Sequence, residues 1–232
     1  MKNLRKLIYS FYIRFRQYDS AKYKWSNLDK TKLLTPFRLF AHPIDGFNDI
    51  KYENRGSLGL ANIILLLYFI EGIVNYFSVS YLFSNNEAQN FSIWPILLKT
   101  VVLVVLWCVI NWAMCTLLEG KGKFKEIWIA ACYSLTPMVV LQVPVTLFSN
   151  VMTLSESMFY TAVTRGLMIW SLILLFLGMM VVHEFTVSKT LGSVILTLAM
   201  MVIFAFLVLL AFSIGQQMVT FVNTVMTELL RR

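Results

Sequence analysis

Between about Leu58 and Gly215 the chain alternates long apolar stretches with short polar ones. Five stretches stand out: Leu58–Phe83, Trp94–Leu118, Trp128–Asn150, Arg165–His183 and Leu191–Gly215. As helices rising 1.5 Å per residue, about 20 residues cross the roughly 30 Å hydrocarbon layer. The pattern predicts an all-α, polytopic integral membrane protein whose five transmembrane helices occupy residues 57–216. A polar segment, 1–56, precedes the bundle, and a short tail, 217–232, follows it. Within the first segment Leu4, Leu7, Ile8, Phe11, Tyr12 and Phe15 recur at helical spacing among Lys2, Arg5, Lys6, Arg14 and Arg16. That describes a basic amphipathic helix lying on an anionic membrane surface.

Composition agrees, with 58% hydrophobic and 14% charged residues and a mean hydropathy of +0.70, outside the range of a soluble domain. Charge sets the expected orientation. Residues 1–56 hold twelve of the twenty Lys and Arg against five acidic residues. Lys121, Lys123, Lys125 and Lys189 fall between later stretches on the same side, whereas Ser84–Ile93 has no basic residue. Basic residues stay inside, so the N-terminus is expected to be cytoplasmic and, after five crossings, the C-terminus external. Arg231 and Arg232 run against this locally. No cleavable signal sequence is expected, because the run Leu7–Ile13 is short and Arg14 and Arg16 follow it. The basic charge does not signal nucleic acid, since no docking module accompanies it.

Polar groups inside the stretches are the candidate functional residues. Glu71 lies near the middle of the first, where a charge costs at least about 2.5–3.5 kcal/mol and must face the bundle or stay protonated. Tyr68 and Asn75 share its helical face. Asn111 and Lys99 of the second stretch are expected to join an intramembrane network with them. Such a network either fixes helix packing or lines a path for an ion or solute. Packing is favoured, because a transporter spreads polar groups over several broken helices. In the third stretch Pro137 and Pro144 are expected to bend the helix, with Gln142 satisfying a freed carbonyl. Before the bundle, His42, Pro43, Asp45 and Gly46 read as a tight turn capping a short segment Phe47–Tyr52.

Catalytic and metal signatures are not found. His183-Glu184 does not extend to a zinc motif, because Val187 stands where the second histidine would be. Cys108, Cys115 and Cys132 all fall inside apolar stretches at no metal spacing and read as small buried hydrophobes. No enzyme, metal or cofactor is expected.

One region is more specific. Thr116-Leu117-Leu118-Glu119-Gly120-Lys121-Gly122-Lys123-Phe124 is followed by Ala131-Cys132-Tyr133-Ser134-Leu135-Thr136-Pro137. A span ending in a Gly-containing basic turn, then one carrying Tyr133, Ser134 and Pro137, resembles the Yip-domain family of five-span membrane proteins, named for interaction with Ypt/Rab GTPases. The entry sequence Leu39-Phe40-Ala41-His42-Pro43-Ile44-Asp45-Gly46-Phe47 resembles its bacterial members. The Asp-Leu-Tyr-Gly-Pro motif of eukaryotic members is absent, and Cys132 stands where they carry Gly before the tyrosine. The resemblance therefore implies a bacterial plasma-membrane member. Its expected role is that of a non-enzymatic accessory or scaffold protein acting by lateral contact with membrane proteins or lipids. The expected partners are an anionic bilayer leaflet and other membrane proteins, as in a transport complex or a homo-oligomer. The alternative is a small-molecule, ion or lipid transporter, or its permease subunit, with Glu71 on the path.

Overall fold

A computed structural model describes residues 35–40, 42–53, 55–79 and 91–231. The amphipathic helix expected around Lys2, Arg5, Lys6, Arg14 and Arg16 lies outside the described residues. Residues 35–40 are helical, and six longer helices follow. These are α1 (Pro43–Tyr52), α2 (Leu58–Ser78), α3 (Ile93–Leu117), α4 (Phe124–Phe148), α5 (Ser157–His183) and α6 (Val187–Arg231). Among the described residues there is no strand. The five helices α2–α6 are each long and apolar enough to cross a membrane.

Several boundaries differ from the hydropathy pattern. The turn expected at His42, Pro43, Asp45 and Gly46 is instead the first turn of α1. Proline suits that position, because the N–H it lacks has no helical partner there. Asp45 sits in this first turn, and the cap position falls to His42, whose side chain makes no capping bond. Gly46 is needed for space: a Cβ there would come within 2.6 Å of Leu39 Cδ1. The fourth span starts at Ser157 rather than Arg165, because Tyr160, Thr161 and Thr164 dilute the hydropathy of a helix that continues through them. The tail expected at 217–232 is helical from 217 to 231, continuous with α6.

α3 and α4 are not regular throughout. A π-helical turn, Leu98–Val102, interrupts α3. α4 breaks at Leu135 (φ −81, ψ −7) between two helical halves, Phe124–Ser134 and Thr136–Phe148. The cause is Pro137. Its missing N–H leaves the Tyr133 carbonyl without an i+4 donor, and the Thr136 hydroxyl donates to that carbonyl instead at 2.6 Å. Pro144 lies inside the second half without ending it. Gln142 does not turn back to a freed carbonyl; its amide donates to Thr164 Oγ1 on α5 at 3.2 Å.

The packing core is concentrated at one end of the bundle. Leu39, Phe47, Ile127, Cys132, Tyr133, Met179 and Val182 are all buried there. α1 belongs to this core and packs against α5. Phe47 fits because position 178 is glycine: an added Cβ would stand 2.8 Å from two ring carbons. Gly178→Ala is therefore expected to lower the thermal unfolding midpoint in detergent. Its overpacking penalty of about 1–3 kcal/mol is only partly offset by alanine's helix preference. Gly166→Ala, where a Cβ meets nothing within 4 Å, is expected to stabilise by up to about 1 kcal/mol.

Candidate functional site

The last carbonyls of α5 have no helical donors of their own. Lys51 of α1 supplies one, donating to Val181 O at 3.1 Å and Val182 O at 2.7 Å. Its ammonium also pairs with Glu184 at 3.0 Å, and the lysine side chain is only 9% exposed. A cation at a helix C-terminus is favoured by the helix dipole as well. Glu184 then gathers further groups. Lys121, from the turn before α4, reaches it at 2.9 Å, and Tyr52 OH donates to it at 3.1 Å. One carboxylate thus joins α1, the α3–α4 turn and the end of α5. The hydrogen bond from Lys121, with those from Lys51 and Tyr52, pulls the Glu184 carboxyl down to about 2. The residue sits in the left-handed region at φ 56, a conformation a non-glycine residue adopts at a cost.

Behind this latch lies a buried polar cluster. His183 Nε2 is 3.2 Å from Asn111 Oδ1, and Asn111 Nδ2 donates to Thr197 Oγ1 at 3.2 Å. Thr197 in turn donates to Ser193 O. The cluster links α3, α5 and α6. The α3–α4 turn closes over it, since a Cβ on Gly120 or Gly122 would come within 2.7 or 2.9 Å of His183 Nδ1. Glu119, just before, takes φ 59 to make that turn.

A second ionic group holds the start of the described chain. Asp49 is buried, with Arg38 at 3.1 Å and Arg55 at 3.2 Å, and Arg55 also reaches Glu53 at 2.6 Å. Burial raises the Asp49 carboxyl above its ordinary value, while Arg38 and Arg55 act in the opposite direction.

The expected intramembrane network divides in two. Glu71 is buried at 6% exposure. Asn75 Nδ2 lies 3.5 Å from Glu71 Oε1 and donates to Thr146 Oγ1 on α4 at 3.1 Å. Tyr68 is half-buried on the same helix. Lys99 is exposed but within electrostatic reach of Glu71. Asn111 bonds instead to His183 and Thr197, towards the C-terminal ends of α3 and α5. Of the family-like positions, Tyr133 OH accepts the Ser57 N–H at 3.2 Å, tying α4 to the start of α2. Ser134 donates to Ala131 O, Pro137 sits at the break, and Gly120 packs on His183.

The latch was not anticipated from the sequence. Lys51 falls in the polar segment before the bundle and Glu184 just past the fourth apolar stretch, and neither was among the candidate residues. One signal was present: Thr190, Ser193 and Thr197 recur at three and four residues, a polar face within a segment that reads as wholly apolar. Among the described residues, no group of three or more His, Cys, Asp or Glu side chains is placed to hold a metal ion.

A family model, the Yip1 domain, matches residues 37–217. Comparisons with curated proteins and with solved structures return no match.

The latch carries two expected outcomes. Because the folded Glu184 carboxyl lies below its ordinary value of 4.5, its contribution is complete above that value and is lost as pH falls towards about 2. Acid unfolding of Glu184→Gln is expected to be flatter across this window than that of the unsubstituted chain. The two left-handed residues should also respond oppositely to glycine. Glu119→Gly relieves about 1 kcal/mol of backbone strain and raises the unfolding midpoint, whereas Glu184→Gly relieves the same strain but loses the latch and lowers it.

Proposed function

Because the chain belongs to the Yip1 domain family, we propose that it is a non-catalytic accessory or scaffold protein of the bilayer. It acts by lateral contact with membrane proteins or lipids. The observation that carries this reading is the extent of the family match. Residues 37–217 take in α1, the latch and the membrane-crossing bundle, so what the family preserves is an embedded body rather than an aqueous domain. The use of polar side chains supports it. Asn75 with Thr146, Gln142 with Thr164, and Asn111 with His183 and Thr197 each join one helix to another. Groups engaged in holding helices together serve packing.

In the same reading the chain is a bacterial-type member in the plasma membrane. Lys51, Lys121 and Lys189 cluster at one end of the bundle, and that end is the cytoplasmic one. The basic residues Lys2, Arg5, Lys6, Arg14 and Arg16 hold the preceding segment to the anionic leaflet, each contributing about 1 kcal/mol at low salt.

The test is crosslinking in native membranes, mild detergent extraction and mass spectrometry of what copurifies. A membrane protein recovered in fixed stoichiometry is the expected result. A solitary chain that drives solute flux in liposomes, with the flux abolished by Glu71→Gln, would sink the proposal in favour of transport.

A further inference from the structure

α6 is far longer than the bundle needs. Val187 lies three residues after Glu184, so α6 starts from the end of the bundle at which α5 finishes. α5 has 27 residues and α6 has 45, so α6 overshoots the other end of α5 by about 27 Å. Only its first part touches the rest of the chain. Thr190, Ser193 and Thr197 are buried and Met201 packs on the core, while every residue from 202 to 231 whose burial is described is exposed.

The sequence changes character at about the level of Ser157, where α5 begins. From Leu198 to Gly215 the helix is apolar apart from Ser213 and suits lipid. From Gln216 it becomes two-sided. Gln216, Gln217, Thr220, Asn223, Thr224 and Thr227 take one face. Met218, Phe221 and Val222 take the other, at 66%, 69% and 54% exposure. Met218 and Val222 are four residues apart, and the sequence continues that register at positions 225 and 229 with valine and leucine. Those are the alternating seam positions of a heptad, and Thr220 and Thr227 then fall on the outermost position. Traced back into the membrane, the same register passes through Ala211 and Gly215, a small-xxx-small pair. A Cβ on Gly215 would meet nothing within 4 Å.

We propose that this seam of α6 pairs in parallel with α6 of a second copy of the chain, the contact running from the membrane into the projecting part of the helix. A second copy is the occupant that fits. The bilayer sets it at the same height and direction, so identical seam residues meet across a two-fold axis. Beyond the hydrocarbon an isolated helix of this length is marginal in water unless its apolar face is covered. Two helices in contact over 30 residues bury on the order of 1,000 Å², enough for a specific interface of modest size. The pairing does not depend on the accessory role proposed above.

Single cysteines test it in the full chain reconstituted in vesicles, using a short bismaleimide. Cys108, Cys115 and Cys132 are buried, so the unsubstituted chain gives the background. Met218→Cys and Val222→Cys are expected to form dimer adducts at least about tenfold more efficiently than Thr220→Cys and Thr227→Cys, as a seam and its outer face require. Adding Val222→Asp to Met218→Cys should return the yield to background. Equal yields at all four positions, a preference for the threonine positions, or no adduct above background would each overturn the proposal. The last is the result expected if this face lies on the lipid surface.

Discussion

The Lys51 ammonium on the last carbonyls of α5 is the contact on which the rest of the bundle depends. In hydrocarbon, helices gain nothing from hiding apolar side chains from one another, and an unsatisfied carbonyl is expensive. By satisfying Val182 O and adding a second donor to Val181 O, which also accepts the Glu184 N–H, Lys51 fixes where α1 lies along α5. That position sets Phe47 into the space left by Gly178. The same ammonium orients Glu184, which draws in Lys121 and with it the α3–α4 turn. Gly120 and Gly122 then close on His183, and His183 reaches Asn111. Position thus passes from a segment before the first crossing to helices that follow it by more than a hundred residues.

Away from this end the helices are joined sparingly. α2 and α4 share Asn75 with Thr146, and Asn150 reaches Ser78 O near their other ends. α4 and α5 share Gln142 with Thr164. Bonds of this kind contribute about 0.6–2 kcal/mol each, enough to select partners but not to make the bundle rigid throughout. The buried core and the ionic latch lie at the same end, so this end is the fixed one. The faces of α3, α5 and α6 left exposed beyond it are available to neighbours in the plane of the membrane.

How much of this was legible in the sequence follows from what generates each feature. The crossings are set by hydropathy and length, so five helices were readable, as was the family resemblance carried by Gly120, Tyr133, Ser134 and Pro137. Boundaries were less so. Ser157–Thr164 continues α5 although its polar residues lower the local hydropathy, because a helix end is set by backbone bonding and not by apolarity. The partner of Asn111 could not be read, since Glu71 and His183 were equally good chemical matches and only the packing of α3 against α6 separates them. The latch was hidden for a similar reason. Lys51 and Glu184 lie 133 residues apart in the chain, and no local pattern joins them.

The π turn of α3 has a consequence for the evolution of the bundle. Leu98–Val102 closes its bonds over five residues instead of four, which is how a helix accommodates one inserted residue. Without that turn, an insertion would rotate everything beyond it by about 100° and move Thr100 off the face that meets Gly72. Here the N-terminal part, with Trp94 and Lys99 exposed, and the C-terminal part, with Asn111 facing the core, keep separate registers. The lipid-facing end of α3 is therefore free to change by single residues while the cluster around His183 stays in place.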